Sequence, residues 1–176
     1  METIDKPLVN RVASSGLVTI DLEKFFPPEE LVVFDLKGYL FMGLILKEKD
    51  FREALKGHDW SQYEGKNLAV FCSTDAIIPV WAYMLVAADA APFAKQIFQG
   101  TAEEFYKVAF HKAVDNLDDI SAYKNQRIVV KGCSNKPVPP SAYVDLTRKL
   151  QPHVLSIMYG EPCSTVPIYK KPKEQA

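Results

Sequence analysis

Short apolar runs alternate with longer segments of helical periodicity along most of this chain. The runs at residues 67–71 (NLAVF) and 127–132 (RIVVKG) are nearly continuous, which is typical of strands buried on both faces of a sheet. The pattern predicts further strands at 16–22, 95–99 and 153–159. Between the strands, apolar spacing and stop signals predict helices over residues 48–56, 77–90, 101–114 and 139–151.

This alternation indicates an α/β fold, predicted as one domain over residues 1–169 with three layers and a largely parallel sheet. An N-terminal antiparallel hairpin is also predicted, because two apolar runs (LVVFDL and YLFMGLIL) flank Lys37-Gly38, and glycine suits a hairpin turn. The polar segment 170–176 predicts a disordered tail.

Composition and charge narrow the classes of partner. The chain has 176 residues and a net charge of −1, which gives no electrostatic reason to expect nucleic acid or an anionic membrane. Its longest apolar run, Ala76–Ala88, is shorter than the roughly 20 residues that span a bilayer. The first residues lack the pattern of a secretory signal, so we expect a cytoplasmic protein with reduced thiols.

The cysteines share one sequence setting. Cys72, Cys133 and Cys163 are each followed by serine and, a few residues later, by proline. The first two segments can be superposed through their Cys-Ser pairs if one gap is allowed, either by internal duplication or by chance. Each cysteine follows a predicted strand, and the carboxyl ends of parallel strands meet at the edge where α/β folds bind ligands.

Three gathered thiols suit a soft metal, so the first hypothesis is a zinc or iron centre at this edge. Its fourth ligand would be Asp75, solvent or substrate. Serines at helix N-termini, where backbone N–H groups are free, extend the site. The predicted metal ligands are Cys72, Cys133, Cys163 and Asp75, and the predicted ligand-binding residues are Ser73, Asp75, Ser134 and Ser164.

Two other hypotheses remain open, and no catalytic residue is assigned in any of them. In one, the thiols are inert and buried, and the protein is a non-catalytic module that binds a small ligand or a protein, either as a monomer or as a homodimer. In the other, a reactive thiol makes it a redox protein. Single residues are equally ambiguous: Asp75 could be a helix cap, and three aromatic residues could line a pocket but are more often core, namely Trp81, Tyr83 and Tyr143.

Three stretches, CSTDAIIPVWAYM, KGCSNKP and MYGEPCSTVPIYK, resemble a bacterial family of unknown function, number 2480, typical of Bacteroidetes. The opening IDKPLVNRVASSGL and the segment LKEKDFREALKGHDWSQYEGK resemble it as well, so the likeness covers nearly the whole chain. The resemblance implies a small cytoplasmic α/β protein. It implies no activity, substrate or catalytic residue.

Overall fold

The computed structural model describes residues 16–117, 119–132, 135–161 and 164–172. Within these ranges the chain forms α-helices and strands that largely alternate, which confirms the predicted α/β class. The strands are β1 (Leu17–Ile20), β2 (Leu31–Asp35), β3 (Asn67–Phe71), β4 (Gln96–Gln99), β5 (Arg127–Val130), β6 (Ser156–Glu161) and β7 (Ser164–Lys170). The helices are α1 (Glu48–Lys56), α2 (Val80–Ala90), α3 (Ala102–Asp115) and α4 (Pro140–Leu150).

The chain divides into two compact units, each with its own sheet. Unit 1 takes its residues from 1–26 and 109–176, and unit 2 consists of residues 27–108. The sheet of unit 1 has the order β1-β5-β6-β7, in which β7 alone is antiparallel. The sheet of unit 2 has the order β2-β3-β4 and is wholly parallel.

Two sequence-based expectations are therefore wrong. One three-layer sheet was expected, but the strands form two sheets. The hairpin around Lys37-Gly38 does not form, because β2 pairs in parallel with β3, and residues Leu36–Tyr39 form a 3₁₀-helix. The side chain of Asp35 caps that helix by accepting the backbone N–H of Lys37, which turns the chain away from a hairpin.

Strand β7 was missing from the prediction, which ended the strands at residue 159. It pairs antiparallel with β6 and reaches Lys170, the first residue of the predicted tail. Residues 173–176 lie outside the described part of the chain, and the single domain over 1–169 stays a prediction. Within the described ranges, none of the helices combines the length and the apolar character that crossing a membrane requires.

Unit 2 shows how the sheet and α2 make a core. One face of α2 is fully buried through Ala82, Val86 and Ala90, spaced at i, i+4 and i+8. This face belongs to the same buried cluster as Leu68 and Val70 of β3. Since α2 is apolar on nearly every side, its sequence alone does not tell the buried face from the exposed one.

The two units repeat the same local structure at a constant separation of 60 residues. Helices α2 and α4 each have 11 residues and begin at Val80 and Pro140. The turns before β3 and β5 also match: Gly65 and Asn125 have positive φ angles of 69° and 59°. This spacing superposes residues 59–100 on 119–160 without a gap. It corrects the gapped Cys-Ser alignment, because Cys72 now corresponds to Gly132.

Candidate functional site

The ends of β2 and β3 are joined by a carboxylate and a serine. Asp35 accepts hydrogen bonds from the backbone N–H of Ser73 at 3.0 Å and from its hydroxyl at 2.6 Å. Burial of Asp35 opposes ionisation, yet the hydrogen bonds from Ser73 and Lys37 lower its pKa below the usual value. Ser73, predicted as a ligand-binding residue, therefore has a structural partner inside unit 2.

The corresponding carboxylate in unit 1 is Asp21, at the end of β1. It caps a 3₁₀-helix, as Asp35 does, and its second oxygen lies 3.0 Å from the ammonium of Lys131. Burial of Asp21 opposes ionisation, but the hydrogen bond from Lys131 lowers its pKa. Lys131 is thus paired within the sheet edge and is not a free cation there.

The predicted metal ligands and serines fall in different places. Cys72 is half-buried, packs against the core cluster of unit 2, and has its Sγ 3.2 Å from the Thr74 hydroxyl. Asp75 is exposed, and it is not a helix cap because Pro79 occupies that position before α2. Ser164 is exposed at the start of β7. Three of the predicted residues lie outside the described part of the chain: Cys133, Ser134 and Cys163.

The premise that all three cysteines follow strands of one sheet is wrong. Cys72 follows β3 in the sheet of unit 2, whereas β5 and β6 belong to the sheet of unit 1. In the ranges that the structure describes, no three His, Cys, Asp or Glu side chains are grouped as metal ligands. The zinc or iron centre stays a prediction.

Unit 1 contains an apolar groove between α4 and its sheet. The groove has a volume of about 460 Å³, within the range of small-ligand sites. Tyr143 and Tyr159 meet edge to face in its lining, with ring centroids 5.7 Å apart. Among the described residues of the lining, Arg148 is the only one with a full charge. Helix α4 contributes Tyr143, Val144, Thr147 and Arg148, and the sheet contributes Val130, Ile157 and Ile168.

Unit 2 has a groove at the equivalent position, with a volume of about 500 Å³. Residues of the two linings correspond to one another at the separation of 60. The pairs are Val70 and Val130, Tyr83 and Tyr143, Met84 and Val144, Ala87 and Thr147, Ile97 and Ile157, and Gln99 and Tyr159.

The grooves were not predicted from the sequence, which favoured core positions for Tyr83 and Tyr143. Each of these tyrosines is half-buried and lines its groove, and both Tyr83 and Trp81 pack against the core of unit 2. Burial of Tyr83 and the neighbouring Cys72 raise the pKa of its phenol. The gapped alignment of the sequence already matched Tyr83 with Tyr143, but it did not indicate that the two positions line equivalent grooves.

A histidine in unit 1 is held between two carboxylates. Nδ1 of His111 lies 2.9 Å from Asp145 of α4, and Nε2 lies 3.1 Å from Asp115 of α3. The hydrogen bond to Asp145, together with the charge of Asp115, raises the pKa of His111. The contact between His111 and Asp145 ties α3 to α4 within unit 1.

Comparison with known proteins gives one match. The profile of a family described as a protein of unknown function, DUF2480, matches residues 6–171. No curated protein and no solved structure matches the chain significantly.

Proposed function

Because the chain belongs to the DUF2480 family, whose function is unknown, we propose a function from the geometry: a non-catalytic module that binds a small amphipathic anion in the groove of unit 1. The ligand has an apolar body of a few carbon atoms and one anionic group. The observation that carries this proposal is an apolar groove of about 460 Å³ whose described lining residues include a single charged side chain.

The apolar part of the lining is evidence that the body of the ligand is apolar. Val144 of α4 is 66% exposed, so the groove presents apolar surface to water. Ile168 of β7 and Ile157 of β6 line the same groove from the sheet. Covering Val144 and Ile168, which are 66% and 52% exposed, releases water and stabilises a complex by about 25 cal/mol for each Å² of apolar surface.

Arg148 is the evidence that the ligand carries an anionic group. It forms no ion pair with a carboxylate anywhere in the described ranges, so its guanidinium is available to an anion. A guanidinium binds a carboxylate through two parallel hydrogen bonds, which fixes the orientation of the ligand. Since Arg148 is exposed, we expect the pair to add about 1 kcal/mol at most.

Isothermal titration calorimetry with octanoate and octanol tests the proposal, because the two probes share a chain length and differ in charge. We expect the protein to bind octanoate about threefold to fivefold more tightly than octanol, as an exposed ion pair would provide. Arg148→Gln should remove this preference and leave the octanol affinity nearly unchanged. Val144→Glu should weaken both probes, because it places a carboxylate in the groove.

Lys149→Gln is the matched control, because Lys149 is the next cation on α4 and donates a hydrogen bond to the Asp115 carbonyl outside the groove. It should preserve the preference for octanoate. Equal affinity of the unmodified protein for the two probes would contradict the proposal that the ligand is anionic. Unchanged affinity of Val144→Glu protein for both probes would contradict the proposal that they bind in this groove.

A further inference from the structure

The grooves of the two units differ at their outer side. In unit 1, β6 pairs with β5 on one edge and with β7 on the other, and Ile168 of β7 lines the groove. In unit 2, β4 pairs with β3, and no other described strand pairs with its outer edge. The N–H and C=O groups of that edge are therefore a template for another strand.

Strand β4 is short, with four residues, but it lacks two other features that protect edge strands from pairing, a charged residue and a proline. Its sequence, Gln96-Ile97-Phe98-Gln99, contains neither a charged residue nor a proline. The outer strand of unit 1, β7, has both, since it contains Pro167 and Lys170. The composition of β4 is therefore that expected of an edge paired with another strand, whereas the composition of β7 is that expected of an edge that faces water.

Beside β4, α2 presents an apolar stripe to solvent. Val80 is 73% exposed and Met84 is 66% exposed, and three alanines continue the stripe along the helix. At the equivalent positions α4 has Thr147, Arg148 and Gln151 after Val144. The stripe, defined as Val80, Met84, Ala87, Ala88 and Ala91, has no polar side chain.

We propose that unit 2 forms a two-fold symmetric interface with a second copy of this chain, in which β4 pairs antiparallel with β4 of the other copy and the α2 stripes cover each other. Unit 1 shows that an antiparallel strand fits the equivalent edge, because β7 pairs in this way with β6. A two-fold axis perpendicular to the sheet brings the same edge of a second copy into antiparallel orientation.

A second copy also fits the chemistry of the surface. Because both the strand and the stripe are uncharged, the surfaces of two copies can pack together without charge repulsion and without burying an unpaired charge. The pairing would join two three-stranded sheets into one continuous sheet and cover the exposed Val80 and Met84. The inference rests on unit 2 and is independent of ligand binding in unit 1.

Sedimentation equilibrium over a wide range of protein concentration tests the interface. We expect a reversible increase in mass from 19.8 kDa, the mass of one chain, toward twice that value. Met84→Glu should weaken dimerisation at least about tenfold, because symmetry places two carboxylates in one apolar interface. Val80→Glu should act in the same way, and circular dichroism would establish that both variants are folded.

The duplicated unit supplies a matched control, because Val144 occupies the equivalent position on α4 and has the same exposure of 66% as Met84. Val144→Glu should leave the dimer intact. Hydrogen exchange of residues 96–99 should be slower in the dimer than in monomeric Met84→Glu protein. A monomer at every concentration, equal effects of Met84→Glu and Val144→Glu, or unchanged exchange in β4 would each overturn the proposal, and the first would leave the surface to a different partner.

Discussion

Asp35 holds Ser73 through both its backbone N–H and its hydroxyl, at 3.0 Å and 2.6 Å, although 38 residues separate them in the chain. The same carboxylate also accepts the N–H of Lys37 at 2.9 Å and so caps the 3₁₀-helix after β2. One side chain therefore both turns the chain away from β2 and joins the carboxyl ends of two parallel strands.

We expect Asp35→Ala to lower the free energy of unfolding at pH 7 by about 1 to 2 kcal/mol, as loss of a capping carboxylate does. Ser73→Ala should cost about 1 kcal/mol, because it removes the bond to the hydroxyl and keeps the one to the N–H. Urea denaturation followed by tryptophan fluorescence measures both, since Trp60 and Trp81 lie in the same unit.

Acid should reveal the same interaction. Because the pKa of Asp35 is lowered in the native protein, its stabilisation is present above the usual pKa of about 3.9 and is lost as pH falls through the native value. Asp35→Ala should therefore be less acid-sensitive than the unmodified protein. Asp75→Ala is the control, since Asp75 is exposed nearby. A loss of stability as large in Asp75→Ala would refute the role of Asp35.

His111 predicts the opposite dependence of native-state stability on pH. Its pKa is raised by the hydrogen bond to Asp145, so the protonated imidazole stabilises the native state. That stabilisation is complete below the ordinary pKa of about 6.5 and is lost as pH rises through the raised native value. We expect the thermal midpoint to fall over this window in the unmodified protein and to fall less in His111→Gln.

Two variants separate this pair from general effects of charge. Asp145→Asn should flatten the profile as His111→Gln does, because it removes the strongest partner of the imidazole. Lys112→Gln changes the charge of the neighbouring exposed residue on α3 and should leave the profile unchanged. Calorimetric scans at several pH values measure these midpoints, and identical profiles for the unmodified protein and His111→Gln would disprove the assignment.

Local patterns predicted most of the helices and strands. Strands β3 and β5 are nearly continuous apolar runs, and helix α3 begins with a capping box, in which Thr101 and Glu104 bond to each other's backbone. The hairpin prediction failed because it depended on two apolar runs around Lys37-Gly38, whereas the decisive interaction is the cap made by Asp35.

The division into two sheets could not be predicted from periodicity, because pairing of β1 with β5 and of β2 with β3 is a long-range choice. The prediction of the metal site failed to anticipate the two sheets for the same reason. The cysteines were grouped on the assumption of one sheet, and the gapped alignment concealed the equivalence of Cys72 and Gly132. An ungapped comparison at 60 residues would have shown the repeat, since Asp59, Ser61 and Tyr63 match Asp119, Ser121 and Tyr123.

The equivalence of Cys72 and Gly132 leads to a prediction about packing. A Cβ atom on Gly132 would lie 3.0 Å from the ring of Tyr159 and 3.2 Å from the Cα of Gly160, both closer than ordinary contact. The Tyr159 hydroxyl donates to the Gly132 carbonyl at 3.2 Å, so the ring is held over the glycine. We expect Gly132→Ala to cost about 1 to 3 kcal/mol of stability, in the range of overpacked sites.

Chemical denaturation of Gly132→Ala alone and combined with Tyr159→Ala measures how much of that cost comes from the ring. The cost of adding the methyl group should be smaller when the ring is absent, although contact with the Cα of Gly160 remains. Cys72→Ala is the matched control in unit 2, where a side chain is already accommodated, and should cost about 0.8 kcal/mol or less. An equal cost of Gly132→Ala in both backgrounds would mean that the Tyr159 ring is not the obstacle.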